Sequence, residues 1–206
     1  MPILRDPHPP PPCDVLVIES TYGDRLHEDA IDARRRLARE LVEHAIRHRS
    51  KVIVPAFAVG RTQEIIMRIK EMVKAGVVDP IPIYIDSPLA LQAMQVFRRH
   101  PECFDEETYR TFTSEGDPFA AKYIRYVTTA KDSKALNVKK GPLVIISASG
   151  MCEGGRVVHH LKHTIEDEAN VIALVGWQAE HTLGLNLWKN GTRCQSLACR
   201  HAGEPE

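Results

Sequence analysis

No run of apolar residues in this 206-residue chain approaches the roughly 20 needed to cross a membrane, and no secretory leader is visible. That excludes a membrane-spanning helix from this stretch. A cytoplasmic protein with no membrane partner is the expectation. Net charge is missing too: 27 Lys and Arg offset 27 Asp and Glu. This balance argues against a free-standing, strongly electrostatic nucleic-acid binder. It leaves room for a local basic patch, or for a domain that supplies one wall of a groove. The five cysteines (Cys13, Cys103, Cys152, Cys194 and Cys199) are odd in number, scattered, and form no CxxC pair. Reduced thiols are therefore expected rather than a disulfide framework. HExxH, the Walker loop, GxGxxG and GxSxG are all absent, which removes the simplest zinc-peptidase, nucleotide-binding and serine-hydrolase readings.

What the chain does have is chemistry at the ends of apolar runs. Five runs close on small or reactive residues: Glu19-Ser-Thr-Tyr-Gly23, Pro55-Ala-Phe-Ala-Val-Gly-Arg61, Asp86-Ser-Pro88, Ser147-Ala-Ser-Gly-Met-Cys-Glu-Gly-Gly155 and Gly176-Trp-Gln-Ala-Glu180. Loops at the carboxyl ends of buried strands are where an α/β protein places its site. Strands are expected at 14–19, 51–55, 81–86, 123–128, 143–147 and 170–176. Helices are expected at about 29–49, from Gly60-Arg61 to Gly76, from Ser87-Pro88 to about His100, at 156–165 and near 182–189. One or two short helices are expected within 101–122, and a helical turn at 132–137.

In the first helix, Leu37, Leu41 and Ala45 with Ala38 and Val42 form an apolar face. Arg34, Arg35, Arg36 and Arg39 load the other face. The alternation of strand and helix, with strands apolar throughout, predicts a three-layer α/β/α domain on a mostly parallel, Rossmann-like sheet. Proline-rich residues 1–12 read as a linker or truncated remnant, 13–190 as the domain, and 191–206 as an irregular tail.

Several side chains could carry chemistry. Arg61 opens a helix whose free N–H groups suit an anion, or it pairs with a neighbouring carboxylate. The glycine-rich loop 147–155 could let backbone approach a phosphodiester, or it is a flexible surface loop. His159 and His163 stand at i, i+4, a spacing that holds zinc only with a third ligand. Packing or substrate contact by one of the histidines at 159, 160 and 163 is preferred. Glu19 could serve as a general base, a metal ligand, or a carboxylate that orients a histidine.

Six segments in order resemble the β-CASP family of the metallo-β-lactamase superfamily, which are RNA and DNA nucleases. They are Asp14 to Arg25, Val54 to Glu64, Ile83 to Ala90, Ser133 to Asn137, Ser147 to Met151 with Gly154 to His160, and Val175 to Glu180. The resemblance covers roughly 13–190. It implies a zinc-dependent hydrolase of RNA phosphodiesters in which Glu19 is the catalytic-site residue, supporting a catalytic histidine. Arg61, Ser149, Gly150 and His159 would contact substrate. The family's HxHxDH run and its further metal-binding histidines have no counterpart here, so no metal ligand is assigned. Zinc would belong to the intact enzyme. The resemblance implies three partners: RNA, the missing metallo-β-lactamase domain, and in the intact enzyme a second copy. The chain alone is expected to be inactive. His181 stands where relatives commonly carry glycine. A non-catalytic scaffold module in an RNA-processing complex and an unrelated Rossmann-like nucleotide enzyme are the alternative readings.

Overall fold

The computed structural model describes residues 3–24 and 30–190, with the side chains of the first helix described from residue 39 onward. The expectations for Arg34, Arg35, Arg36, Leu37, Ala38, Cys194, Cys199 and the tail 191–206 lie outside the described residues.

Five strands form one all-parallel sheet: β1 (Lys51–Pro55), β2 (Ile83–Ile85), β3 (Ile124–Tyr126), β4 (Leu143–Ser147) and β5 (Val171–Ile172), in the order β3-β2-β4-β1-β5. In register, β1 runs beside β4 from Lys51↔Leu143 to Pro55↔Ser147. Alternate residues point to opposite faces, and both faces are covered. Val52, Val54, Ile83, Ile85, Val144 and Ile146 join one core. Ile53, Tyr84, Leu143, Ile145 and Ile172 join the other. This two-sided burial is why the strands are apolar throughout.

Helices α1 (Ala30–His48), α2 (Arg61–Lys74), α3 (Pro88–Arg99) and α4 (Glu106–Glu115) cover the first face through Leu41, Ile66, Met94 and Phe112. Helices α5 (Ala130–Val138), α6 (Arg156–Thr164) and α7 (Leu183–Asn190) cover the second through Leu136, Val157, Leu161 and Leu187. The result is the three-layer α/β/α fold the pattern predicts. Helix starts follow local chemistry. Ser87 Oγ accepts from Ala90 N at 3.2 Å with Pro88 at the first position, and Thr129 Oγ1 accepts from Asp132 N at 3.1 Å. Among the described residues, no helix is long and apolar enough to cross a membrane.

Three expectations change. Residues 14–19 are not a strand: Val15, Leu16, Val17 and Ile18 are 79%, 58%, 93% and 74% exposed. A segment apolar on both faces needs a ladder partner and cover on each side, and no described strand pairs with it. The turn at 132–137 is a full helix, α5. The strand at 170–176 pairs only over Val171–Ile172, although Ala173, Leu174 and Val175 stay buried. Within the proline-rich start, Ile3 enters the first core and Leu4 bridges to Phe104.

Candidate nucleic-acid interface

The sheet order builds a crevice. The loop after β1 leads to α2 on one face, and the loop after its neighbour β4 leads to α6 on the other. Loops that part in this way open a crevice at the carboxyl ends of the strands. Four of the five motif-bearing loops lie along this edge, those after β1, β2, β4 and β5. The fifth, at Glu19, does not, because residues 14–19 are outside the sheet.

Close backbone approach holds the crevice together. Gly150 lies against Phe57, so a Cβ there would meet the ring at 3.2 Å. The Gly150 carbonyl accepts from Gln178 Nε2 at 3.0 Å. Gly150 therefore stands between the loop after β1 and the loop after β5. Two aromatic rings are left open on this edge, Phe57 at 48% and Trp177 at 43% exposed.

The loop at 147–155 is heavily bonded, not a loose surface loop. Ser149 N donates to Gly154 O, Cys152 N to Ser149 O, Glu153 N to Ser149 Oγ, and Val157 N to Ala148 O, all at 3.1–3.3 Å. Gly184 N donates to Met151 O at 3.0 Å and Leu183 N to Glu153 Oε1 at 2.5 Å, which ties the loop to the start of α7. The Ala148–Ser149 peptide is cis. Cys152 is buried at its base, and burial, with the nearby Glu153 charge, pushes its thiol up to about 12.

Arg61 is one-third exposed and donates from Nη1 to Glu64 Oε2 at 2.8 Å. The pairing alternative is therefore realised. The helix start behind it is also partly occupied: Arg61 N donates to Val59 O, Thr62 N to Phe57 O and Glu64 N to Gly60 O. These bonds remove most of the free N–H groups on which an anion site at α2 depends. Glu19 is exposed, and its Oε2 accepts from Thr21 N at 3.0 Å. That bond holds its carboxyl below the usual carboxylate range. His159 and His163 are exposed on α6. Among the described residues, no three His, Cys, Asp or Glu side chains converge to hold a metal ion. The donor set thus does not fit a zinc site within them.

A buried network lies beneath this edge, and the sequence reading did not assign it. Asp86 Oδ2 accepts from His160 Nε2 at 2.6 Å and from Ser133 Oγ at 2.5 Å, while Oδ1 accepts from Arg156 Nη1 at 2.6 Å. Burial would raise the Asp86 carboxyl, but hydrogen bonds from His160, Ser133 and Arg156 outweigh it and hold the carboxyl below its usual value. His160 Nδ1 lies 2.8 Å from Asn137 Oδ1. Ser147 Oγ donates to the Asp86 carbonyl at 2.8 Å. Lys51 Nζ donates to Asn137 O at 2.6 Å and Leu136 O at 3.2 Å. The network fastens the end of β2 to α5, α6 and the end of β4, and so fixes the base of the glycine-rich loop.

Comparison with known proteins identifies a family. The family model described as the Beta-Casp domain matches residues 62–187. Over 185 residues the chain is 36% identical to "Ribonuclease TTHA0252" of Thermus thermophilus, an alignment covering 90% of this chain and 42% of that protein. It is 36% identical over 185 residues to an "RNase J-like protein" of Methanocaldococcus jannaschii, covering 88% and 41%. It is 33% identical over 183 residues to "Transcription termination factor FttA" of Methanothermobacter thermautotrophicus, covering 87% and 28%. The chain therefore spans less than half the length of each of these relatives.

Proposed function

The chain belongs to the β-CASP family, and on that premise we propose that it forms the substrate-side wall of an RNA phosphodiester hydrolase. The observation that carries this reading is the crevice at the carboxyl edge of the sheet, where Phe57, packed on Gly150, and Trp177, next to the Gln178 that bonds Gly150, are both left open. Exposed aromatics beside a tight backbone turn suit single-stranded RNA: bases stack on the rings whatever their sequence. Ser149 and Gly150 line the crevice where the phosphodiester would lie, and Arg61, at the neighbouring helix start, would exchange its Glu64 partner for a phosphate. His159 contacts substrate from the first turn of α6.

The second half of the enzyme, in this reading, is a metallo-β-lactamase domain. The exposed run Val15–Leu16–Val17–Ile18 supplies a strand to its sheet, which gives the run the cover it lacks. Glu19 then stands at the junction. Its carboxylate, kept ionised by the Thr21 N–H, accepts from a catalytic histidine of that domain and fixes the ring. The zinc that the family uses would be held by that domain, since no donor set for it converges among the described residues, and it would supply water activation there.

The test uses a labelled RNA hexamer and the purified chain. Binding is expected without cleavage. Replacing Phe57 and Trp177 by Ala should weaken binding by about tenfold or more, since each stacked base is worth about 1–3 kcal/mol. Robust zinc-dependent cleavage by the chain alone would overturn its assignment as the substrate side. An unchanged affinity in the double variant would remove the crevice as the RNA site.

A further inference from the structure

The net charge of zero conceals a local excess. On the first face of the sheet and its margins, six cations are paired: Arg39 with Glu43, Arg61 with Glu64, Arg68 with Glu71, Lys74 with Glu115, Arg98 with Asp117 and Arg110 with Glu106. On the second face Arg156 pairs with Asp86, but a group of lysines stands apart. Lys131 and Lys134 of α5, Lys139 and Lys140 just beyond it, and Lys162 of α6 are all exposed. None of the five makes an ion pair among the described residues. The single acidic residue on these two helices is Asp132, whose carboxylate accepts from Thr129 Oγ1. Glu166, Asp167 and Glu168 come after α6, in the turn towards β5.

The helix period arranges these cations. Ser133, Leu136 and Asn137 turn the inner side of α5 towards the sheet, and Val157, His160, Leu161 and Thr164 do the same for α6. Asn137 and His160 meet across the seam between the helices at 2.8 Å. At 100° per residue, Lys134 falls on the side of α5 next to Asn137 and leans over that seam. His159 and His163 fall on the side of α6 that faces it, with Lys131 and Lys162 on the flanking ridges. Both helices start at the carboxyl edge of the sheet, α6 directly from the glycine-rich loop. The seam therefore begins at the crevice and descends the side of the domain for roughly 13 Å, the length of nine helical residues. Lys139 and Lys140 lie at its far end.

We propose that the α5–α6 seam is a phosphate track, which carries the backbone of an RNA strand after it leaves the crevice. The proposal rests on the crevice being an RNA site, and adds to it a second, purely electrostatic surface outside the cleft. Lysine suits this role as a point charge on a flexible stem that follows a backbone without reading bases. A surface of this kind confers affinity that grows with strand length and falls with salt.

The experiment compares a hexamer with a 20-nucleotide single strand, both binding to the whole chain over a salt series. The variant is Lys131→Glu with Lys134→Glu and Lys162→Glu, whose exposed side chains leave the fold intact by circular dichroism and thermal unfolding. After division by its 15 overlapping hexamer registers, the affinity of the 20-mer for the native chain is expected to exceed that of the hexamer by about tenfold. Reversal should abolish that advantage and lower the slope of log affinity against log salt by about 2, at roughly 0.7 per phosphate contact on single strands. Hexamer binding should stay within twofold. A native chain with no preference for length, or a variant that keeps it, overturns the track. So does binding of anionic phospholipid vesicles that is lost in the variant while RNA binding is kept. The two readings separate cleanly. Loss of hexamer binding on Phe57→Ala belongs to the crevice. If the hexamer fails to bind the native chain but the 20-mer binds through the lysines, the crevice reading falls and the track stands.

Discussion

Asp86 has no exposed surface, yet its two oxygens receive His160, Ser133 and Arg156. Its folded pKa lies below the ordinary 3.8, because those hydrogen bonds outweigh the cost of burial. A depressed carboxyl adds stability that is full above the unfolded value and is lost as pH falls through the folded one. Asp86→Asn is expected to cost about 3 kcal/mol at pH 7, since it strips a buried counter-charge from Arg156 and a charged acceptor from His160 and Ser133. Urea unfolding at descending pH should show the gap between variant and parent narrowing once pH passes below about 4. A gap that stays constant down to pH 2.5 would mean the carboxylate charge is not what stabilises the network. His181 poses a smaller question. It is exposed at φ +65°, in the left-handed region, which explains why glycine is at home at this position. An L-residue loses roughly 1–2 kcal/mol there, partly offset by the greater unfolded freedom of glycine. His181→Gly should raise the melting temperature slightly, by roughly 1–3 °C. A fall would mean the imidazole makes a stabilising contact.

At the scale of elements, the glycine-rich loop depends on Gly155. Its φ is +78°, and a Cβ would lie 2.5 Å from the Ala148 carbonyl oxygen. Gly155→Ala should therefore cost more than about 1 kcal/mol and displace the start of α6. Thermal unfolding reads the cost, and hexamer affinity reads the displaced loop. Unaltered stability would mean the loop relaxes without strain. The elements themselves were largely legible. Apolar strands bounded by Gly and Pro, and Ser87-Pro88 at a helix start, each carry a local cause that survives in the fold. Residues 14–19 misled because their local pattern is that of a strand, while a strand needs a neighbour that pattern cannot supply. The Asp86–His160 contact was hidden by a separation of 74 residues. The i, i+4 spacing drew attention to His159 and His163. The usable signal was the apolar face of α6, on which His160 falls with Val157, Leu161 and Thr164 and is carried inward. Phe57 and Trp177 lay within recognised motifs, but exposure is a tertiary property and spacing does not reveal it.

At the scale of the molecule, the decisive feature is the place of β4. It is the fourth strand in sequence and the central one in space, pairing with β2 on one side and β1 on the other. Strands β1 and β2 share no ladder. A chain ended at Lys140 keeps both and loses what joins them, and is expected to show no cooperative thermal transition by circular dichroism. A sharp transition in that truncation would mean the first face folds without the sheet. The same ordering governs how the domain comes into being. As synthesis proceeds from the amino end, β1 with its helix and the β2–β3 pair leave the ribosome as separate apolar pieces with open edges. They stay unjoined until residues 143–147 emerge and slide between them. Nascent chains stalled before that point are natural clients for chaperones. The last segments needed for the crevice, the loops after β4 and β5, are made only once the sheet can close.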